Sequence, residues 1–159
     1  MATTALTQDF KRSLLEGGHN FKTTGIAYRM LLIKLSPTGT YNDTLSNVGT
    51  PGTGTPSTSN VGTDEVAGTG YTTGGFALTN VNPALSSGVA TTSFAVNPNW
   101  TGATFSATSA VVFTTDNTLG TAGRTVGSFD FGGTQTVSAG TFTVVIPTNS
   151  STLAIIRIT

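Results

Sequence analysis

Asp64 and Glu65 are the only adjacent carboxylates in the chain. Two carboxylates divide acid and base work only when both reach one reacting centre. On an extended backbone, neighbours point to opposite faces, so these two are not expected to act together. His19 is the single histidine. It follows the end of a predicted helix and reads as a surface residue, and one histidine excludes the usual multi-histidine metal sites. There is no cysteine, which removes thiolate and disulfide chemistry. The stretch 68–75, GTGYTTGG, is rich in glycine but has no lysine and no helix after it. It therefore reads as a turn or bulge rather than a phosphate cradle. Walker loops, dinucleotide fingerprints and nucleophile elbows do not occur. No catalytic residue, metal or cofactor is expected.

Trp100, Tyr71 and Tyr41 are the residues from which an aromatic sugar platform would be built. Trp100 follows Asn-Pro-Asn, a setting that also suits a strand-edge anchor in the core. Asn42, Asn99 and Asn149 open glycosylation patterns. Chance matches are expected in so Thr- and Ser-rich a chain, and residues 1–6 lack the basic start and apolar stretch of an export signal. These three matches are set aside.

The chain has 159 residues, a length that suits one domain, 1–159. Charged residues are 9%, with seven basic and seven acidic. So little charge offers neither a nucleic-acid footprint nor a polybasic membrane patch. No window approaches the ~20 apolar residues of a membrane-spanning helix. Thirty-four threonines favour strands, while 20 glycines, 14 serines and 10 asparagines favour turns. The apolar fraction, 36%, is low, but nine phenylalanines argue for an ordered core.

One helix is predicted, over 7–18 within an N-terminal segment 1–20. Thr7 would cap it, and Gly17-Gly18 would end it. Phe10, Leu14 and Leu15 would form its apolar stripe. Residues 26–35, IAYRMLLIKL, read as a central strand buried on both faces. Residues 36–63 then lose all periodicity and hold three prolines and five glycines. This insertion is either a mobile surface loop or an arm that orders against a partner, anchored by Tyr41, Leu45, Val48 and Val61. Beyond it, apolar residues alternate. Phe94 pairs with Val96; Phe105, Ala107, Val111 and Phe113 share a face; Phe129 and Phe131 flank an outward Asp130. Phe142, Val144 and Ile146 follow, then Ala154, Ile156 and Ile158. Many short strands with one early helix predict an all-β fold, an antiparallel β-sandwich or jelly-roll-like unit.

Charge is unevenly spread. Residues 1–34 carry five basic residues against two acidic ones, net +3, and the rest is net −3. A basic end docking on an acidic surface is one reading and scattered surface charge is the other. Phe10, Lys11, Arg12 and Leu14 of the helix join the four arm residues as candidate contacts.

Several ordered stretches resemble small structural proteins of tailed-bacteriophage virions, of the capsid cement or decoration type. They are the helix with its Gly17, the strand 26–35, and the block 64–75, DEVAGTGYTTGG, with Leu78 after it. Trp100 with the strand to Phe113, Phe129-Asp130-Phe131-Gly132-Gly133, and 140–144 complete the set. The block 64–75 is the most specific, matching an acidic-Val-x-Gly-x-Gly-Tyr-x-x-Gly-Gly pattern. The likeness spans most of 5–158 and excludes 36–63. It implies a non-enzymatic part made in the host cytoplasm and seated on the outer surface of an icosahedral head. It also implies a homotrimer bound to the major capsid protein, with no nucleic-acid or membrane partner. A tail, neck or fibre-associated structural component, with or without glycan contact, is the alternative.

Overall fold

The computed structural model describes residues 2–117 and 120–159. Two antiparallel sheets make a sandwich. Five strands, β1 (Ala5–Leu6), β2 (Tyr28–Lys34), β3 (Phe76–Leu78), β6 (Asn99–Thr114) and β7 (Thr125–Thr143), form the main sheet in the order β1-β7-β6-β2-β3. Three short strands, β4 (Ala84–Ser86), β5 (Val89–Thr92) and β8 (Ile156–Ile158), form the second in the order β4-β5-β8. The one helix, α1 (Gln8–Leu15), leads into β2. The sandwich expected from the alternating pattern is the fold observed.

Helix α1 begins as its sequence dictates. The Thr7 hydroxyl accepts from the Phe10 amide at 3.2 Å, and Gly17 takes the left-handed conformation (φ 74°) past the last turn. Phe10 and Ser13 face the core and Leu14 is half-buried, three and four residues on. Leu15, expected on the same stripe, is 91% exposed. Five residues after Phe10 it has rotated about 140° off that face. A bidentate ion pair from Arg124 to Asp9, at 2.6 and 2.7 Å, ties the helix to β7.

β2 is buried on both faces, as its unbroken apolar run predicts. Tyr28, Met30 and Leu32 enter one core with Phe10, Phe21, Trp100 and Phe105. Leu31 and Ile33 enter a second core with Val111 and Phe113. β6 does not keep one face. Against β2, Ile33 pairs with Ser109 and Lys34 with Ala107, which leaves Thr108 as an extra residue. Side chains alternate along a strand, so one extra residue reverses their facing. Phe105 and Ala107 therefore share the first core with Ala110 and Val112, while Val111 and Phe113 turn to the second. Val96 and Ile158, expected inside, are 46% and 51% exposed.

The second core is completed by 36–63. Tyr41, Leu45, Val48 and Val61 are fully buried there, so the four residues expected to meet a partner instead cover β2 and β6 of their own chain. Without regular strands, the segment satisfies its backbone piecemeal. Val48 donates to Gly123 and Val61 to Val48, both at 2.8 Å, and Ser46 donates to Thr58 at 2.7 Å. The Asn60 side chain accepts from the amides of Thr50 and Gly62, and Asn47 accepts from Gly49. Asparagine is suited to this because its short amide reaches nearby backbone.

Leu45→Ala should lower the unfolding free energy of the isolated chain by about 3 kcal/mol, the cost of a truncated core leucine. Urea denaturation measures it. An unchanged midpoint would mean that 36–63 is not part of the core.

Candidate functional site

The block 64–75 crosses from the arm to the sheet. Asp64 is the last residue of a single 3₁₀ turn, Gly62–Asp64, Glu65 follows it, and their side chains reach different partners. Asp64 is wholly buried and accepts from the Gly39 amide (2.7 Å), the Tyr41 hydroxyl (2.7 Å) and the Thr38 hydroxyl, with Lys34 Nζ at 3.2 Å. Burial pushes its carboxyl up, but these donors outweigh that and hold it below the usual carboxylate range. Glu65 Oε1 accepts from Tyr71 Oη at 2.9 Å and from the Gly74 amide at 2.7 Å, while Oε2 is buried without a hydrogen bond. Burial raises the Glu65 carboxyl, and Tyr71, Gly74 and the nearby Arg29 charge only partly offset it. Tyr71 Oη also accepts from the Leu32 amide at 3.0 Å, so one phenol joins Glu65 to the central strand. The two carboxylates address separate donors; the divergence expected of strand neighbours arises instead at the end of a turn, with Asp64 in the 3₁₀ turn and Glu65 extended.

Three glycines of the block, Gly68, Gly70 and Gly75, mark close approaches. A Cβ on Gly75 would lie 2.0 Å from the Met30 carbonyl oxygen; one on Gly68 would lie 2.6 Å from that of Thr104. Arg29 clamps the same turn, donating to the carbonyls of Gly74 (2.7 Å) and Gly75 (2.5 Å). The block is a strap across β2 and β6. Tyr71 lies on Trp100, with ring centroids 5.6 Å apart, and Trp100 is buried among Phe76, Phe105 and Phe142. Tyr41 belongs to the other core. The three aromatics considered for a sugar platform therefore form no common surface.

His19, expected at the surface, is half-buried and sits at the foot of α1. The Ser13 hydroxyl donates to the Phe10 carbonyl at 3.1 Å. Its oxygen is therefore the acceptor for His19 Nε2–H at 2.8 Å, which leaves Nδ1 to accept from Tyr28 Oη at 3.1 Å. Burial, then the Arg124 charge, lowers the imidazole to about 4, with Asp9 opposing. This ring is a neutral structural link.

The basic N-terminal end is largely consumed. Arg29 and Lys34 bind the strap and the arm, and Arg12 pairs with Asp9 at 2.9 Å. Of the helix residues proposed as contacts, Phe10 is buried, Leu14 is half-buried, and Lys11 and Arg12 are exposed.

Two long stretches of the chain carry no charge. No Asp, Glu, Lys, Arg or His occurs from 66 to 115 or from 131 to 156. A cleft of about 520 Å³ opens where the sandwich parts between β7 and the segment after it, lined by Phe129, Phe131, Phe142, Val144 and Ile155, with Met30 at its floor. Val145 on its rim is 76% exposed. Sequence reasoning missed this mouth because its lining comes from six separated segments. The charge-free run 131–156 was the available signal. Beyond β1, which pairs only with Gly127 and Ser128, the outer edge of β7 meets no strand among the described residues. Register breaks on β7 at 131–134 and 138–139 interrupt that edge and guard it against indiscriminate pairing.

Among the described residues, no cluster of side chains suits a metal ion, and no helix is long and apolar enough to cross a membrane. Compared with protein-family models, with characterised proteins and with solved structures, the chain matches none.

Two outcomes test these assignments. Tyr71→Phe removes the hydroxyl that joins Glu65 to β2 and should cost about 2 kcal/mol in urea unfolding, the penalty for stranding buried partners; a loss below about 0.5 kcal/mol would contradict the strap's role. His19 has a folded pKa below its unfolded value of 6.5. The unfolded chain therefore binds the extra proton, and stability falls as pH drops from 6.5 to about 4. The His19 part of that loss approaches about 3 kcal/mol at 1.36 kcal/mol per pH unit. Glu65, raised on folding, acts in the opposite sense, so the His19 part is read as the difference between wild type and His19→Gln. Parallel pH profiles for the two would contradict a neutral, buried His19.

Proposed function

We propose that this protein is a non-enzymatic structural component of a bacteriophage virion, a cement or decoration protein. It sits on the outside of the head and reinforces contacts between major capsid protein subunits. The observation that carries the reading is where the few reactive groups go. Asp64, Glu65 and His19 are all hydrogen-bonded inside the chain, and the chain carries no charge from 131 to 156.

A cement protein works by shape and contact area. Uncharged Thr, Ser and Gln side chains hydrogen-bond across an interface without the desolvation penalty of ions. The apolar mouth beside β7 offers an anchor pocket of the kind that dominates interface energetics. Many identical copies on a lattice gain by avidity, so each contact can be modest. Arms and shells must resist outward pressure, and a chain whose longest loop is packed into its own core presents a rigid brace. The ordered resemblance of 64–75 and its flanking blocks to small virion proteins gives the same direction.

Purified protein should bind heads assembled without it and raise the temperature at which they rupture. Val145→Asp, placed at the rim of the mouth, should weaken that binding while leaving the fold intact. Heads that recruit no protein, or that are equally robust without it, would overturn the proposal. Immunogold label on the tail rather than on the facets would move the protein to the tail or neck.

A further inference from the structure

The outer edge of β7 and the cleft beside it are two sides of one opening. β1 pairs with that edge only at Gly127 and Ser128, and the Thr4 hydroxyl still accepts from the Asp130 amide at 3.0 Å. The N-terminal segment then turns away, and the Thr3 amide donates to the Tyr41 carbonyl. Residues 132–136 are exposed. Among the described residues, the backbone of 133–143 hydrogen-bonds to no segment but β6. Between its two register breaks β7 keeps a regular stretch, 135–137. There Gln135 and Val137 lie opposite Ala107 and Phe105, on the side of the first core. Thr4 at the outer edge and Met30, two strands in, both line the cleft, so it runs from the core out to the open edge.

We propose that this edge and cleft form a strand-accepting site, occupied by an extended segment of a partner protein whose alternate residues are apolar. The backbone says that the occupant is a strand. An open edge offers main-chain donors and acceptors at strand spacing, and an extended chain answers them in register. The cleft says which side chains it carries. Every second side chain of an added strand points to the side of Phe131, Gln135 and Val137, where the lining is mostly Phe, Val and Ile. The molecule already uses this mode one step along the same edge. Ala5 and Leu6 add to β7 as a short strand, and Leu6 turns in against the first core. A second copy's β7 suits the site less well. Its edge carries the same breaks, and two interrupted edges share few consecutive hydrogen bonds. The site goes beyond the virion reading and does not rest on it: the isolated chain should bind such a segment whether or not heads recruit the protein.

Nuclear magnetic resonance titration of the full, nitrogen-15-labelled chain tests it. The probes are four blocked peptides, each alternating Thr with one apolar residue (Val, Ile, Leu or Phe) and carrying lysines at both ends for solubility. At least one should bind with a Kd below about 1 mM. It should shift the amide signals of 132–137 and Val145 and slow exchange of edge amides. Two further versions of that peptide carry N-methyl groups on one or the other alternate set of main-chain amides. One set faces β7 and the other faces water, so one version should bind at least about 10-fold more weakly and the other nearly as well as the parent. Val145→Asp, on the rim of the cleft, should weaken binding about 10-fold with the circular dichroism spectrum unchanged, since Val145 is exposed. Leu85→Asp, outside the cleft, should not weaken it. Failure of all four peptides to bind, equal loss with both methylated versions, or signals shifted chiefly in the β4-β5-β8 sheet overturns the proposal. So does self-association of the free chain that protects 132–137, which would give the edge to a second copy.

Discussion

Everything in this fold follows from β2 being apolar on both faces. A strand that carries Tyr28, Met30 and Leu32 on one side and Leu31 and Ile33 on the other leaves no face for water. It must be covered twice. The small sheet, α1 and the aromatic cluster around Trp100 cover one side. In a chain with so few strands, the other side has to be covered by something irregular. The segment 36–63 does that with four buried side chains and a set of asparagine and backbone hydrogen bonds. The strap 64–75 continues the same task, passing over β2 closely enough that a side chain at Gly75 would collide with the Met30 carbonyl.

Much of this was legible in the sequence. The helix cap at Thr7, the two-sided strand and the sandwich class all follow from local rules, and all are observed. What escaped was decided at longer range. The reversal of facing in β6 depends on an extra residue, Thr108, that only pairing with β2 reveals. The burial of Tyr41, Leu45, Val48 and Val61 depends on a partner layer inside the same molecule, which aperiodic sequence cannot announce. His19 sits two residues past Gly17, where a surface position is the default; its capture by Ser13 and Tyr28 is a tertiary event. The clefts were invisible because their walls come from segments far apart in the chain.

The functional reading rests on economy of charge. A chain with fourteen Asp, Glu, Lys and Arg residues spends several of them on internal bonds: Asp9 with Arg124, Lys34 with Asp64, Arg29 on the strap. These links lock helix, arm and strap to the sheet. What remains outside is a threonine-rich surface with two apolar openings. The glycine-rich block that resembles a feature of virion proteins has a structural explanation here, since its glycines, tyrosine and glutamate each make a contact that holds the strap down.

The claim that 36–63 is an internal layer of the fold is tested most directly by native-state hydrogen exchange on the isolated chain. The amides of Ser46, Val48 and Val61, which donate to Thr58, Gly123 and Val48, should exchange nearly as slowly as those of β2. Exchange of these three at the rate of an unstructured loop, while β2 stays protected, would contradict the account.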